Sequence, residues 1–388
     1  MAPQRAPSFL PELEGLRAVA SLGIVVTHVS FQTGTGWGWA ERFDYFVAVF
    51  FALSAFLLWR RRHVHTAAGY AFSRVVRLVP AYLVCVLVVF ALLPDAHSAT
   101  LPQILATVTG TQIYIADGLA PGLTQLWSLC VEFAFYVALP FLAWGLDRFS
   151  GRVRMLLIAA GGLLSLGWGF VPFVADYHSG DVNSQIWPPA YASWFAVGML
   201  AAEVEQAWAQ GWLRRPRWAQ RLLGARWLWW LAAAGSVWLA SREFFGPRGL
   251  VHPEPGEFAR RIALGALFGA CVMVPVALAP HTSQRGSWLS SPTMQALGRW
   301  SYGIFLWHVA VLSVVFPLLG VRMFSGGVVD FLTVLLATSV ISAAVAAASY
   351  ALVEKPARRA LRPWRPSGRH RQAKAAPHRA ASSQESPA

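Results

Sequence analysis

The chain has 388 residues, 56% of them apolar and only 13% charged, with a mean hydropathy of +0.47. A soluble domain carries roughly 25% charged residues, so this composition excludes a disordered protein and argues against a soluble enzyme. The formal charge of +14 comes from basic residues that fall between apolar runs. They form no single patch of the kind that marks a nucleic-acid binder.

Apolar runs fall at about 14–32, 43–59, 75–93, 124–146, 155–175, 187–207, 227–241, 258–280, 299–317 and 330–353. Each is near the roughly 20 residues needed to cross a bilayer. They predict an all-α, polytopic transmembrane helical bundle of about ten spans. The first run holds Arg17 and His28 and no small-residue cleavage site, so it reads as a retained span and not as a signal peptide. The stretch 101–116, LPQILATVTGTQIYIA, is rich in Thr and Gln and reads as a re-entrant or surface segment. From about 357 the chain is mostly Arg, Pro, Ala and Ser, a composition that cannot bury a core. The organisation expected is therefore a membrane domain over 1–356 and a disordered basic cytoplasmic tail over 357–388, with no second soluble domain.

With the N-terminus in the cytoplasm, 26 Lys and Arg lie in inner segments and six in outer ones. That asymmetry obeys the positive-inside rule and puts both termini in the cytoplasm. Arg60, Arg61 and Arg62 read as topology signals. Cys85, Cys130 and Cys271 sit in apolar runs without disulfide or zinc spacing. They read as core residues, and no metal site is expected.

Ionisable residues inside spans are costly and tend to be functional. Arg17 and His28 are eleven residues apart, which puts them within about 20° of each other around a helix and about 16 Å apart along it. One face of span 1 thus carries a cation near the cytoplasm and an imidazole toward the outer side. Glu132, in span 4, is expected at the depth of His28, where a carboxylate would hold and polarise the imidazole of a general base. Arg74 and Arg77 share a face at the start of span 3, and guanidinium forks suit phosphate. His308, near mid-depth of span 9, either lines the same cavity or bonds a helix neighbour. Glu354 beside Lys355 and Arg358 reads as a capping ion pair.

These residues lie in motifs that resemble the membrane acyltransferase-3 family, whose members O-acylate surface polysaccharides, envelope lipids and some macrolides. ELEGLRAVASLGIVVTH resembles its first span, VFFALSAFLLWR its second, SRVVRLVPAY its paired-Arg motif and LWSLCVEFAFY its Trp-Ser-Leu…Glu motif. SYGIFLWH and VEKPARR match its closing motifs, and together the marks cover nearly all of 10–360. Ala48, Ala55 and Phe133 stand where the family often has Asp, Gly and an acidic residue. The chain also ends too early for the extra hydrolase-like domain of some members.

The resemblance implies transfer of an acyl group, acetyl by default, from cytoplasmic acyl-CoA to an acceptor outside the plasma membrane. Arg17, Arg74 and Arg77 would bind the CoA phosphates, and His28 and Glu132 would be catalytic. Ser54, Trp127, Tyr302 and His308 are further candidates for the substrate cavity. The acceptor expected is a hydroxyl of an envelope glycan or glycolipid, with a macrolide second. The partners are then acyl-CoA, membrane lipid and that acceptor, and no nucleic acid. The rival reading is a transporter or flippase of a lipid-linked saccharide.

Overall fold

The computed structural model describes residues 10–64, 66–247, 251–279 and 286–361. Among them the chain is helical, with no strand. Helix α1 (Pro11–Thr33) starts on a proline, whose fixed φ suits the first turn, with Glu12 and Glu14 where carboxylates favour the helix dipole. Gly34 ends it at φ 69°, a left-handed conformation that glycine adopts without steric cost. The bundle therefore has an arginine end, where α1 starts near Arg17, and a histidine end, where it stops just past His28.

The remaining long helices are α2 (Phe46–Trp59), α3 (Ala67–Leu92), α4 (Leu101–Thr109), α5 (Trp127–Leu146), α6 (Gly151–Leu164), α7 (Ala192–Gln210), α8 (Arg226–Ala240), α9 (Pro255–Ala277), α10 (Pro292–Leu319) and α11 (Val328–Ser349). Among the described residues eight helices are long and apolar enough to cross a membrane, which makes this a multi-pass helical bundle. Helices α7 and α8 occupy the sixth and seventh apolar runs. The first carries Glu203 and Glu205, and the second has only 15 residues.

Direct contacts fix how the helices run. Phe51 stacks on Phe195 at 4.5 Å, and Trp59 Nε1 donates to Glu203 at 2.6 Å. Both pairs are 144 residues apart, so α2 and α7 lie parallel and in register. Gly198 makes this possible, because a Cβ there would overlap the Ala52 carbonyl. In the same way Gly298 of α10 lies against the Glu14 backbone of α1. Helix α8 begins with Arg226 paired to the buried Glu12 at 2.7 and 2.8 Å. It ends with the Ala240 carbonyl accepting from Arg42 Nε at 3.2 Å. Since Glu12 opens α1 and Arg42 lies beyond its far end, α8 runs from one end of the bundle to the other in about 22 Å.

Two readings change at the arginine end. Arg60 and Arg62 are more than topology signals: Arg60 bonds Glu205 at 2.8 Å, and Arg62 pairs with Asp147 and Glu203, both at 3.1 Å. Arg154 joins the same carboxylates at 3.3 and 2.7 Å. Six charged groups thus tie the ends of α2 and α5 to α6 and α7.

Segment 101–116 forms α4 at the histidine end, with Thr100 and Gln103 as a capping box. The Thr107 carbonyl accepts from Tyr82 of α3. At the chain's far end a π-turn over Tyr350–Glu354 turns the buried Glu354 toward Arg358, 3.1 Å away, as the capping reading expected. A short helix then runs Lys355–Ala360 and takes in the first residues of the tail expected over 357–388, whose remainder from 362 lies outside the described residues. Cys85, Cys130 and Cys271 are buried and unpaired by disulfide.

Candidate active site

A cavity of about 220 Å³ opens among α1, α2, α3, α5 and α10 at the arginine end. Arg17, Arg74, Arg77, Ser54, Glu132 and Tyr302 all line it. Thr66 caps α3, its hydroxyl accepting from the Gly69 amide at 3.1 Å, so the helix starts eight residues before the apolar run. Arg74 and Arg77 therefore lie about 10 and 15 Å along the helix, deeper than the sequence placed them. Arg77 is within electrostatic reach of both Arg17 and Arg74, and Glu132 offsets the latter two. Arg17 Nε is buried with no hydrogen-bond partner among the described residues.

The expected contact between Glu132 and His28 is not formed. The Glu132 carboxylate accepts short hydrogen bonds from Ser54 Oγ and Tyr136 Oη. Gln125, seven residues earlier, donates to the Leu306 carbonyl at 2.7 Å, two residues from His308. Glu132 then lies roughly 10 Å deeper, toward the arginines. Reading both residues simply as in the outer half hid that offset.

The partner of His28 is His308. His308 Nε2 is 3.2 Å from His28 Nδ1, with ring centroids 4.9 Å apart. His308 Nδ1 lies 2.8 Å from the Phe305 carbonyl and 3.2 Å from that of Ile304. A carbonyl only accepts, so His308 carries its proton on Nδ1 and offers the Nε2 lone pair. His28 Nδ1 must then be the donor, shared between His308 and the Ile24 carbonyl at 3.0 Å. The lone pair of neutral His28 is left on Nε2. The hydrogen-bond network assigns these tautomers, and the result is an imidazole set up as a base.

Neither histidine lines the cavity. It ends on Phe50 and Phe305, an edge-to-face pair with centroids 6.2 Å apart, and His308 lies behind Phe305 at 5.8 Å. One layer of rings thus separates the arginine cavity from the histidine pair. Tyr302 lines the cavity and donates to the Leu78 carbonyl at 3.0 Å. Trp127 stands outside it, against Tyr191 at 5.2 Å. Residues that the sequence reading did not single out are Tyr136, Phe50 and Phe305, all in the lining, where Arg60 and Arg61, read as topology signals, also stand. The first three lie inside the quoted motifs VFFALSAFLLWR, LWSLCVEFAFY and SYGIFLWH, which is the signal that could have pointed to them. Ala48 and Ala55 are fully buried, Ala48 beside Gly269, and Phe133 packs on Tyr82, so none of the three departures from the family pattern falls in the cavity lining. Among the described residues no group of three or more His, Cys, Asp or Glu is placed to hold a metal.

The polytopic helical bundle, with its cationic cavity and histidine pair, is that of a membrane-embedded acyltransferase by its likeness to known proteins. The chain belongs to the acyltransferase-3 family, whose pattern, described as an acyltransferase domain, matches residues 10–352. It is 26% identical over 355 residues to the acyltransferase MdmB of Streptomyces mycarofaciens, covering 80% of this chain and 81% of that one. It is 23% identical over 350 residues to the peptidoglycan O-acetyltransferase OatA of Listeria monocytogenes, covering 80% of this chain and 50% of that one. Against the O-acetyltransferase OatA of Staphylococcus aureus it is 28% identical over 201 residues, covering 47% of this chain and 32% of that one. The chain thus spans half or less of the two OatA proteins. No solved structure matches the chain significantly.

Proposed function

We propose that the protein transfers an acyl group, acetyl by default, from acyl-CoA at the arginine end to a hydroxyl of a glycan or glycolipid at the histidine end. The observation that carries this reading is the convergence of Arg17, Arg74 and Arg77 on one cavity, with Arg17 Nε unpartnered, on the α1 face that also bears His28. Three guanidiniums close together are unfavourable unless an anion joins them, and planar forks match phosphate. The cavity is below the roughly 300–1,000 Å³ of ordinary ligand sites. It suits a slender pantetheine arm, leaving the nucleotide at the mouth. The membership in a transferase family also disfavours the transporter alternative.

In this mechanism the arm passes Ser54, Glu132 and Tyr136, and the Phe50 and Phe305 rings part to let the thioester reach the histidine pair. His28 Nε2 takes the proton of the acceptor hydroxyl. The oxygen attacks the thioester carbonyl, the C–S bond breaks, and the CoA thiolate recovers the proton from the imidazolium. His308 holds His28 in the required tautomer, a task the sequence reading gave to Glu132. Glu132 instead balances Arg17 and Arg74 in a low-dielectric setting. The positive-inside asymmetry supports placing the arginine end in the cytoplasm of a plasma-membrane protein. The test is the purified protein with labelled acetyl-CoA. His28→Ala should keep donor binding and lose transfer, and full transfer by that variant would end the proposal.

A further inference from the structure

A second polar cavity, of about 480 Å³, lies at the histidine end between the 98–121 and 177–186 segments. Two other cavities of 430 and 500 Å³ are lined by apolar and aromatic side chains alone. This one is bordered by Asp117, Asp181, Asn183, Gln103, Ser98 and Tyr177.

The walls are built and held. Trp187 Nε1 donates to the Ile113 carbonyl at 2.9 Å, and Trp168 Nε1 to that of Ser184 at 2.9 Å, pinning the two segments to the bundle. Gln103 Nε2 bonds the Asp117 carbonyl at 2.6 Å and holds that residue at φ 50°. Asp and Asn tolerate this conformation better than other non-glycine residues. Tyr177 stacks on His252 at 4.1 Å with the rings 7° apart. Asp181 spends one oxygen on the His178 amide at 2.9 Å, and Asn183 spends its Oδ1 on the Gln185 amide at 3.2 Å. The second Asp181 oxygen, the Asn183 amide hydrogens and the Asp117 carboxylate remain to meet a ligand. Planar carboxylate and amide groups beside a fixed aromatic ring match vicinal hydroxyls and the apolar face of a sugar.

We infer that this cavity is a binding site for an uncharged saccharide unit of the acceptor. Two carboxylates on its walls repel anionic sugars. The cavity lies at the same end of the bundle as the histidines: from Pro121 on its rim the chain reaches Gln125 in four residues, and Gln125 is bonded to Leu306, two residues from His308. The inference deepens the proposed function and rests on its reading of the acceptor, but saccharide binding can be measured without catalysis.

The probe is N-acetylchitotetraose, titrated onto the intact protein in nanodiscs by tryptophan fluorescence and calorimetry, with an oligogalacturonate as the anionic control. Asp181→Ala and Asp117→Asn leave the fold in place, since both side chains are exposed and Asn keeps the left-handed backbone. Saturable tetraose binding that weakens about tenfold in either variant, with weaker or no oligogalacturonate binding, supports the site. Absence of tetraose binding, equal affinity in the variants, or preference for the anion overturns it. Failure of the same sample to consume acetyl-CoA would instead sink the transferase reading and leave the binding result standing.

Discussion

His28 Nδ1 and His308 Nε2 meet at 3.2 Å across parallel helices 280 residues apart in the chain. Because His308 Nδ1 is committed to a carbonyl, this contact decides which nitrogen of His28 is free to accept a proton. His308→Ala should therefore lower kcat on the order of 10²-fold, the lower range for general-base assistance, with little change in KM for acyl-CoA. His308→Gln can accept from His28 through its amide oxygen and should recover part of the loss. Equal activity of all three proteins would show that the contact is only packing.

The arginine cavity should discriminate by charge. If Arg74 and Arg77 hold the CoA phosphates as proposed, Arg74→Ala or Arg77→Ala removes hydrogen bonds to a charged group, each worth about 1.5–3 kcal/mol, and KM for acyl-CoA should rise at least tenfold. The KM for the acceptor should stay within a factor of two, and high salt should shrink the difference between variant and parent. Competition by free CoA in a binding assay checks this directly.

Phe50 and Phe305 close the cavity below the histidine pair. Replacing either ring by alanine opens space on the path proposed for the acyl group. Phe50→Ala should shift donor preference from acetyl-CoA toward longer acyl-CoAs. Side-by-side kcat/KM values for acetyl-, butyryl- and octanoyl-CoA read out the change, and an unaltered ranking would show that the rings do not limit acyl size.

Glu203 is a structural counterpart to the site. It is 1% exposed and accepts from Trp59, Arg62 and Arg154. Glu203→Ala takes the buried carboxylate from Arg62 and Arg154 and leaves them Asp147 alone to share; breaking a buried pair costs up to about 3–5 kcal/mol. A large drop in thermal stability in detergent is expected, with donor affinity unchanged in the fraction that stays folded.

Much of this was legible in the residues themselves. Helical periodicity alone puts Arg17 and His28 on one face, because both belong to a single helix whose geometry is fixed at 1.5 Å and 100° per residue. Apolar runs predicted the bundle, because a bilayer admits only segments that satisfy their own backbone. The pairing of Arg74 with Arg77 followed from spacing too.

What the sequence could not decide were relations between helices. His28 took His308 and not Glu132 as its partner because that choice depends on the axial offset between packed helices. Those offsets are set by contacts such as Gly298 on the Glu14 backbone and Gln125 on the Leu306 carbonyl. Arg60 and Arg62 look like topology charges until α7 brings Glu203 and Glu205 beside them. Local rules act within a turn or two of one helix, whereas partners far apart in the chain meet only where close-packed side chains fix one helix against the next.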